Sequence, residues 1–332
     1  MANEDAVLKA LDGTAGKGDE MLPEEVRNEI IEIVREKSWV RQTIPTIEMS
    51  MSTVKIPKLT GSITFYGVSD SATSEPSEST HSTDDVQLDM KTIMGKVPIK
   101  KKLLTYAIPS LEAELKNDIG GALAQTEANV VVNGDTDTTA SNINGTLSTG
   151  DVRLELDGLR KHNFTAVAAG SVTNVDASGA ALGLSDIRKA IANLGVYGRY
   201  RDQLILLVSP TVGAEMLGWD ELETIDKYPE ATIVTGQVGK VYGISVIVTD
   251  AIPENLNDSG KYDGTTTDKT VAILFNKNSP ILGVPTYADR KFNIQVEEKP
   301  GLDQINLYPM EDIAFNVRYQ DAIVQIINIS VA

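Results

Sequence analysis

The chain has 332 residues, 41% hydrophobic and 23% charged, enough for about two domains or one elaborate one, which excludes collagen-like and wholly disordered classes. Its 47 acidic residues against 30 basic ones leave a formal charge of -17, so the chain as a whole repels phosphate rather than gripping it. With no cysteine, a disulfide framework and a thiol nucleophile are excluded; with only two histidines a histidine-rich metal site is not expected, nor is a cofactor.

The opening stretch, MANEDAVLKALDGTAGKGDE, has no apolar core of a signal peptide, and no run approaches the roughly 18 apolar residues of a membrane span. A soluble, intracellularly made protein without a membrane partner is expected. Residues 1–20 read as a polar arm. After Pro23, Glu24 and Glu25 suit the positive end of a helix, and Val26, Ile30, Ile33 and Val34 recur at helical spacing until Ser38.

Alternation in 52–56 and again in 95–100 predicts two strands bracketing a polar stretch, Ser69 to Asp85, that holds no large aliphatic or aromatic residue. Such a pair has little apolar face to bury and is expected to project from its domain. Lys91, Lys96, Lys100, Lys101 and Lys102 place five positive charges on the expected return strand; they suit acidic neighbours, a phosphate backbone or simple protection of an edge.

The strongest helix pattern covers 110–133, with Ser110 at its start and Leu111, Leu115, Ile119, Leu123 and Val130 on one face. Gly120 and Gly121 are the weak point, at about 1 kcal/mol each against alanine. Asn133-Gly134-Asp135 ends it. Further on, Ser185 is expected to cap a helix stopped by Gly195, Leu204 to Val208 and Ile244 to Val248 read as buried strands, and 291–331 returns to alternation. The stretch 184–290 reads as a compact α/β domain within a chain of α+β class.

Chemistry-bearing motifs fail one by one. Gly13 and Gly18 have the spacing of a phosphate loop, but Asp19 stands where lysine is required. The acids after Asn133 resemble a calcium loop whose glycine and closing glutamate would fall on Ala140 and Thr146, so a turn is expected instead. His81 and His162 show no triad relationship and read as solvated surface residues. No catalytic, cofactor-binding or metal residue is assigned, and no enzyme activity is expected.

The order of these pieces resembles the tailed-phage major capsid proteins of the HK97-like fold. LPEEVRNEIIEIVREKSWVRQTIPTIEMSMSTVKIPKLTG looks like their N-terminal arm leading into an extended loop; VPIKKKLLTYAIPSLEAELKNDIGGALAQTEANVVVNGD resembles the return strand, spine helix and closing turn. LILLVSPTVGAEML, GQVGKVYGISVIVTDAIPEN and NVRYQDAIVQI resemble the axial-domain strands and the closing strand. The resemblance implies an arm at 1–45, an extended loop at 46–105, a peripheral domain from 106–159 and 286–332 with spine helix 110–133, and an axial domain at 160–285.

It also implies a structural shell protein that meets itself in hexamers and pentamers around double-stranded DNA, with a portal and, where present, decoration proteins. Because the arm helix begins within about 22 residues of Met1, a separate scaffolding protein or none is expected, without large proteolytic maturation. Aligned by eye, Asp303 stands at the family's cross-linking asparagine and Met310 or Glu311 at its glutamate, so covalent cross-linking is not expected. Candidates for contact between subunits are the five lysines with Glu24, Glu25, Trp39 and Arg41. An encapsulin-like shell around a cargo enzyme is the alternative that the same resemblance leaves open.

Overall fold

The computed structural model describes residues 38–331, apart from 62, 68–69, 71–74, 76, 80–81, 101–109 and 220–236. The arm with its expected helix, Glu24, Glu25, Lys101, Lys102 and His81 thus lie outside the described residues.

A short helix, α1 (Trp39–Thr43), is capped by Ser38, whose Oγ accepts from the Arg41 amide. Strands β1 (Thr46–Met49), β2 (Thr53–Leu59), β3 (Thr83–Asp89), β4 (Lys91–Met94) and β5 (Val97–Lys100) follow, and then the 24-residue helix α2 (Ser110–Asn133). The middle of the chain supplies α3 (Leu159–Ala168), β6 (Val175–Asp176), α4 (Leu184–Asn193), β7 (Leu204–Val208), α5 (Pro210–Met216), β8 (Gln237–Val241), β9 (Ile244–Val248) and β10 (Lys269–Asn276). Last come β11 (Pro280–Pro285), α6 (Ala288–Lys291), β12 (Asn293–Lys299), β13 (Gln304–Val317) and β14 (Ile323–Ser330).

Two six-stranded sheets organise these elements. One runs β6-β14-β10-β7-β9-β8; the other runs β1-β11-β13-β12, with β4 and β5 also paired to the long β13. The unbroken apolar run of β7 has a direct cause, since both its faces are covered. Leu204, Leu206 and Val208 pack in one cluster with Ile187 and Ile191 of α4, whereas Ile205 and Leu207 join Val130, Val131 and Val132 of α2 in another. That second cluster also takes in Leu282, Ile313 and Phe315, so it joins the two sheets.

Four sequence expectations change. The partner of β2 is β3, paired antiparallel from Thr53↔Asp89 to Leu59↔Thr83, and not the 95–100 segment. Residues 97–100 instead pair with β13. The last strand, expected with α2 and 286–332, lies between β10 and β6 in the α/β sheet, because its residues are buried on both faces and suit a central strand. The cap of α4 is Gly183, with Ser185 inside the helix, although Gly195 does stop it with φ +53. Helix α2 also runs through Gly120 and Gly121 without a break.

The turn after α2 requires its glycines. A Cβ on Gly158 would lie 2.7 Å from both the Gly134 nitrogen and the Val131 oxygen, and the two glycines are bonded, Gly158 N donating to Gly134 O at 2.9 Å. Beyond this contact the buried Arg160 donates to Asn133 Oδ1 at 2.7 Å and to Gly260 O at 2.8 Å, tying the end of α2 to the second half of the chain.

Candidate assembly surface

The β2–β3 hairpin is sparsely covered. β2 alternates between exposed and half-buried positions along its whole length, and β3 buries only Val86 and Leu88. At its base Leu88 packs with Met49, Ile281 and Ala314, and Asn316 Nδ2 donates to Gln87 O at 2.7 Å. Its acids are answered within the hairpin, Lys55 meeting Asp85 at 2.9 Å and Lys58 meeting Asp84 at 3.1 Å. Towards its far end the chain exposes apolar side chains: Leu59, Ile63, Tyr66 and above all Phe65, which is 92% exposed. Exposure of this kind on neighbouring residues marks a surface that another molecule covers.

The base of the arm is, by contrast, fastened by a buried ion cluster. Arg41 of α1 donates from Nε and Nη2 to Glu127 of α2, at 2.8 Å and 2.5 Å to Oε1, and also reaches Glu311 of β13. Ser38 Oγ donates to the second oxygen of Glu127 at 3.1 Å. Burial works against the Arg41 charge, but the two carboxylates outweigh it and hold its pKa above the ordinary value. Burial, then the negative charge of Glu127, pushes Glu311 well up, with Arg41 pulling the other way. Two carboxylates facing one guanidinium leave an excess negative charge, which a proton on Glu311 removes. The sequence carries one sign of this cluster: Glu127 follows Leu123 by four positions, so a carboxylate interrupts the apolar stripe of α2.

The profile of the phage capsid family matches residues 18–326, almost the whole chain. This chain belongs to the phage capsid family. A curated major capsid protein of Klebsiella oxytoca phage phiKO2 is 29% identical over 126 residues, 38% of this chain; the match spans about 29% of the relative's own length. Among solved structures, that of Mycobacterium phage Adephagia is similar with a TM-score of 0.57 at 16% identity, over 87% of this chain and 89% of that one. The capsid of a native GTA particle is similar with a TM-score of 0.58 at 12% identity, over 99% and 98% of the two chains. These likenesses establish the HK97-like α+β fold, and the family gives the chain its structural, shell-forming role.

Within the capsid chain the expected contact residues separate. Lys91 and Lys100 lie on β4 and β5, with Lys96 between those strands, so none is on the hairpin. Lys91 Nζ is 3.8 Å from Glu155, Lys96 sits over the Tyr308 ring at 5.9 Å, and Lys100 donates to Leu302 O at 3.0 Å. Trp39 is buried in the core and Arg41 is engaged by the ion cluster, both inside one subunit.

His162 is not a surface residue. It is buried beside Phe315, with Nδ1 3.1 Å from Gln320 Nε2 and no partner for Nε2 among the described residues. Burial lowers its pKa to about 4, and the nearby Asp157 only partly offsets this. The acids after α2 do build a turn. Asp135 accepts from the amides of Asp137 and Ile143 and pairs with Lys161 at 2.6 Å. Asp303 takes a left-handed conformation, φ 46, in the turn before β13, while Glu311 lies within that strand.

Proposed function

We propose that the chain is the major capsid protein of a tailed phage, assembling through hexamers and pentamers into an icosahedral shell around double-stranded DNA. The observation that carries this reading is the hairpin: its strands pair over seven positions and Lys55 and Lys58 meet Asp85 and Asp84, yet Leu59, Ile63 and Phe65 towards its far end are exposed. A second copy of the chain, repeated by symmetry, is the natural cover. In this arrangement the hairpin of 53–89 is the extended loop, α2 and the β13 sheet form the peripheral domain, and the β7 sheet with β14 forms the axial domain.

The role is structural and not catalytic. A portal occupies one vertex, and scaffolding and decoration proteins are the further partners that this reading admits. Assembly takes place in the host cytoplasm, and the product is the virion capsid. A net charge of -17 keeps the wall from binding the packaged duplex tightly, so DNA slides during filling and release.

Sedimentation and negative-stain microscopy of the purified chain test this proposal. The expected products are capsomers and closed particles or sheets. A double variant, Ile63→Ser with Phe65→Ser, is expected to keep the circular dichroism of the parent while losing the particles. A parent chain that remains a folded monomer at high concentration overturns the reading, and so does a double variant that assembles normally.

A further inference from the structure

The two ends of the α/β sheet differ in charge. β7 and β9 run parallel, so their first residues share one end of the sheet and their last residues the other. At the first end stand Arg199, Tyr200 and Arg201 before β7, with Lys240 late in β8 and Tyr242 in the turn into β9. They are neighbours in space: a Cβ on Gly243 would lie 3.6 Å from that of Arg201, and Arg199 sits over the Tyr200 ring at 5.5 Å. Asp202 is exposed beside them. Arg199, Arg201 and Lys240 make no ion pair among the described residues, so this end stays basic in a chain of net charge -17. It is also partly apolar. Val196 is 83% exposed, and Tyr200 and Tyr242 are exposed, the latter with φ +54, which is uncommon for a tyrosine. Arginine and tyrosine are the side chains that most often carry the energy of a protein interface.

At the other end β9 runs into Thr249 and Asp250, which line a groove of about 650 Å³ beside α2. Its volume falls within the range of about 300–1,000 Å³ that admits a bound group. Gly121, Ala122 and Ala124 are among its walls, and their small side chains leave it open. Asp118 and Asp250 are exposed there without an ion pair among the described residues, although Gln125 Nε2 donates to Asp250 at 2.6 Å. Trp39 also lines the groove. It is only 5% exposed, yet its indole Nε1 has no hydrogen-bond partner among the described residues, and a buried donor in that state calls for an acceptor.

We propose that these two surfaces meet between copies of the chain: Arg199, Tyr200 and Arg201 of one subunit enter the α2 groove of the next, with the arginines facing Asp118 and Asp250. β9, about 15 Å long, separates the patch from the groove of its own subunit, so each copy offers one surface and receives the other. The Tyr200 hydroxyl supplies the acceptor that Trp39 lacks. Two different surfaces in contact make a head-to-tail interface, which closes into a ring when the rotation between copies allows. The inference rests on the shell-forming reading and deepens it, by naming surfaces that join neighbours within a ring.

Three variants of the full-length chain, compared with the parent by sedimentation, test it: Arg199→Glu with Arg201→Glu, Asp118→Lys with Asp250→Lys, and all four together. All four positions are exposed, so the circular dichroism of the parent should be kept. Each pair alone is expected to lower the assembled fraction at least about ten-fold, because like charges then face each other, and the four together are expected to restore most of it. Pairs that assemble like the parent, or a fourfold variant no better than the pairs, overturn the contact. An arginine variant that assembles normally and only retains less DNA assigns the patch to the duplex and overturns it as well. The chain has no cysteine, so Ala122→Cys with Tyr200→Cys gives a reading independent of charge. Mild oxidation of assembled material is expected to link chains into ladders that survive SDS, which neither single variant forms. Disulfides within one chain, or equal linking by Tyr200→Cys alone, overturn the proposal. A parent that stays monomeric removes shell formation and this contact together, whereas an assembling parent whose cysteine pair stays unlinked removes the contact alone.

Discussion

Strands β2 and β10 are both well-paired antiparallel strands, but one stands in the open and the other in the core. β10 is buried at every position after Lys269, flanked by β14 and β7 and covered on both faces. β2 has one partner, seven paired positions and no fully buried residue. The hydrogen-bond ladders are of the same kind, so the ladder does not make the difference. An intramolecular hydrogen bond contributes only about 1 kcal/mol net, and an isolated hairpin is marginal without an apolar face to cover. The body of the subunit is completed from within; on the proposed reading the hairpin is completed by a neighbour. Substitutions in the two regions should therefore differ sharply in what they do to the isolated subunit.

The largest effect is expected at the ion cluster, where arm, long helix and long strand meet. Arg41→Ala leaves the buried Glu127 carboxylate without its cation, beside a protonated Glu311. Breaking such an arrangement by removing one partner destabilises by about 3–5 kcal/mol. Urea unfolding of the unassembled subunit measures this, and a loss below about 1 kcal/mol would mean that α1 is not fastened by these charges.

Next comes acid sensitivity of the body through His162. Burial depresses its folded pKa to about 4 from the ordinary 6.5, so the unfolded chain binds the proton more readily. Its contribution is complete above pH 6.5 and is lost as pH falls from 6.5 towards 4, by about 3 kcal/mol in total. His162→Leu is expected to flatten the stability profile within that window. An unchanged slope would assign the acid sensitivity to other groups.

Glu311→Gln sharpens the comparison from the opposite side. The raised pKa means that the folded state holds a proton which the unfolded state releases above about pH 4.5, so the wild-type cluster loses stability as pH rises beyond that value. Glutamine keeps the shape and a donor for Glu127 without the charge. A gain in stability at pH 8, shrinking towards pH 4, is expected in the same urea titration. Destabilisation at pH 8 would show that the ionised carboxylate is needed.

Much of this architecture is legible in the sequence, and the reasons differ from place to place. The bounds of α2, β7 and β9 follow from local pattern: a long apolar stripe after Ser110, and two apolar runs that only a strand covered on both faces can accommodate. The return strand of the hairpin is misplaced because Thr83–Asp89 carries just two large apolar residues, Val86 and Leu88, and otherwise reads as polar loop. The lysines after it therefore look like hairpin residues when they belong to strands against β13. The ion cluster is a meeting of residues 86 and 270 positions apart in the chain, with Glu127 its only local sign. The burial of His162 follows from α3 packing beside the turn that precedes β14, a contact that no periodicity of 159–168 specifies.

The smallest effect is expected from the charges of the hairpin itself. Lys55→Gln and Lys58→Gln remove the cations that face Asp85 and Asp84, and the Lys58 hydrogen bond holds Asp84 below the usual carboxylate range. A perturbed pKa in open water does not make a structural bond. Both carboxylates are about half exposed, water and salt screen such pairs, and holding two long side chains together offsets most of the attraction. Neither substitution should move the thermal midpoint of the isolated subunit, and raising salt from 0.1 to 1 M should leave the hairpin's own contribution unchanged. A shift comparable with that of Arg41→Ala would erase the distinction between the two regions, because the hairpin would then be held by its own subunit and would have no need of a neighbour.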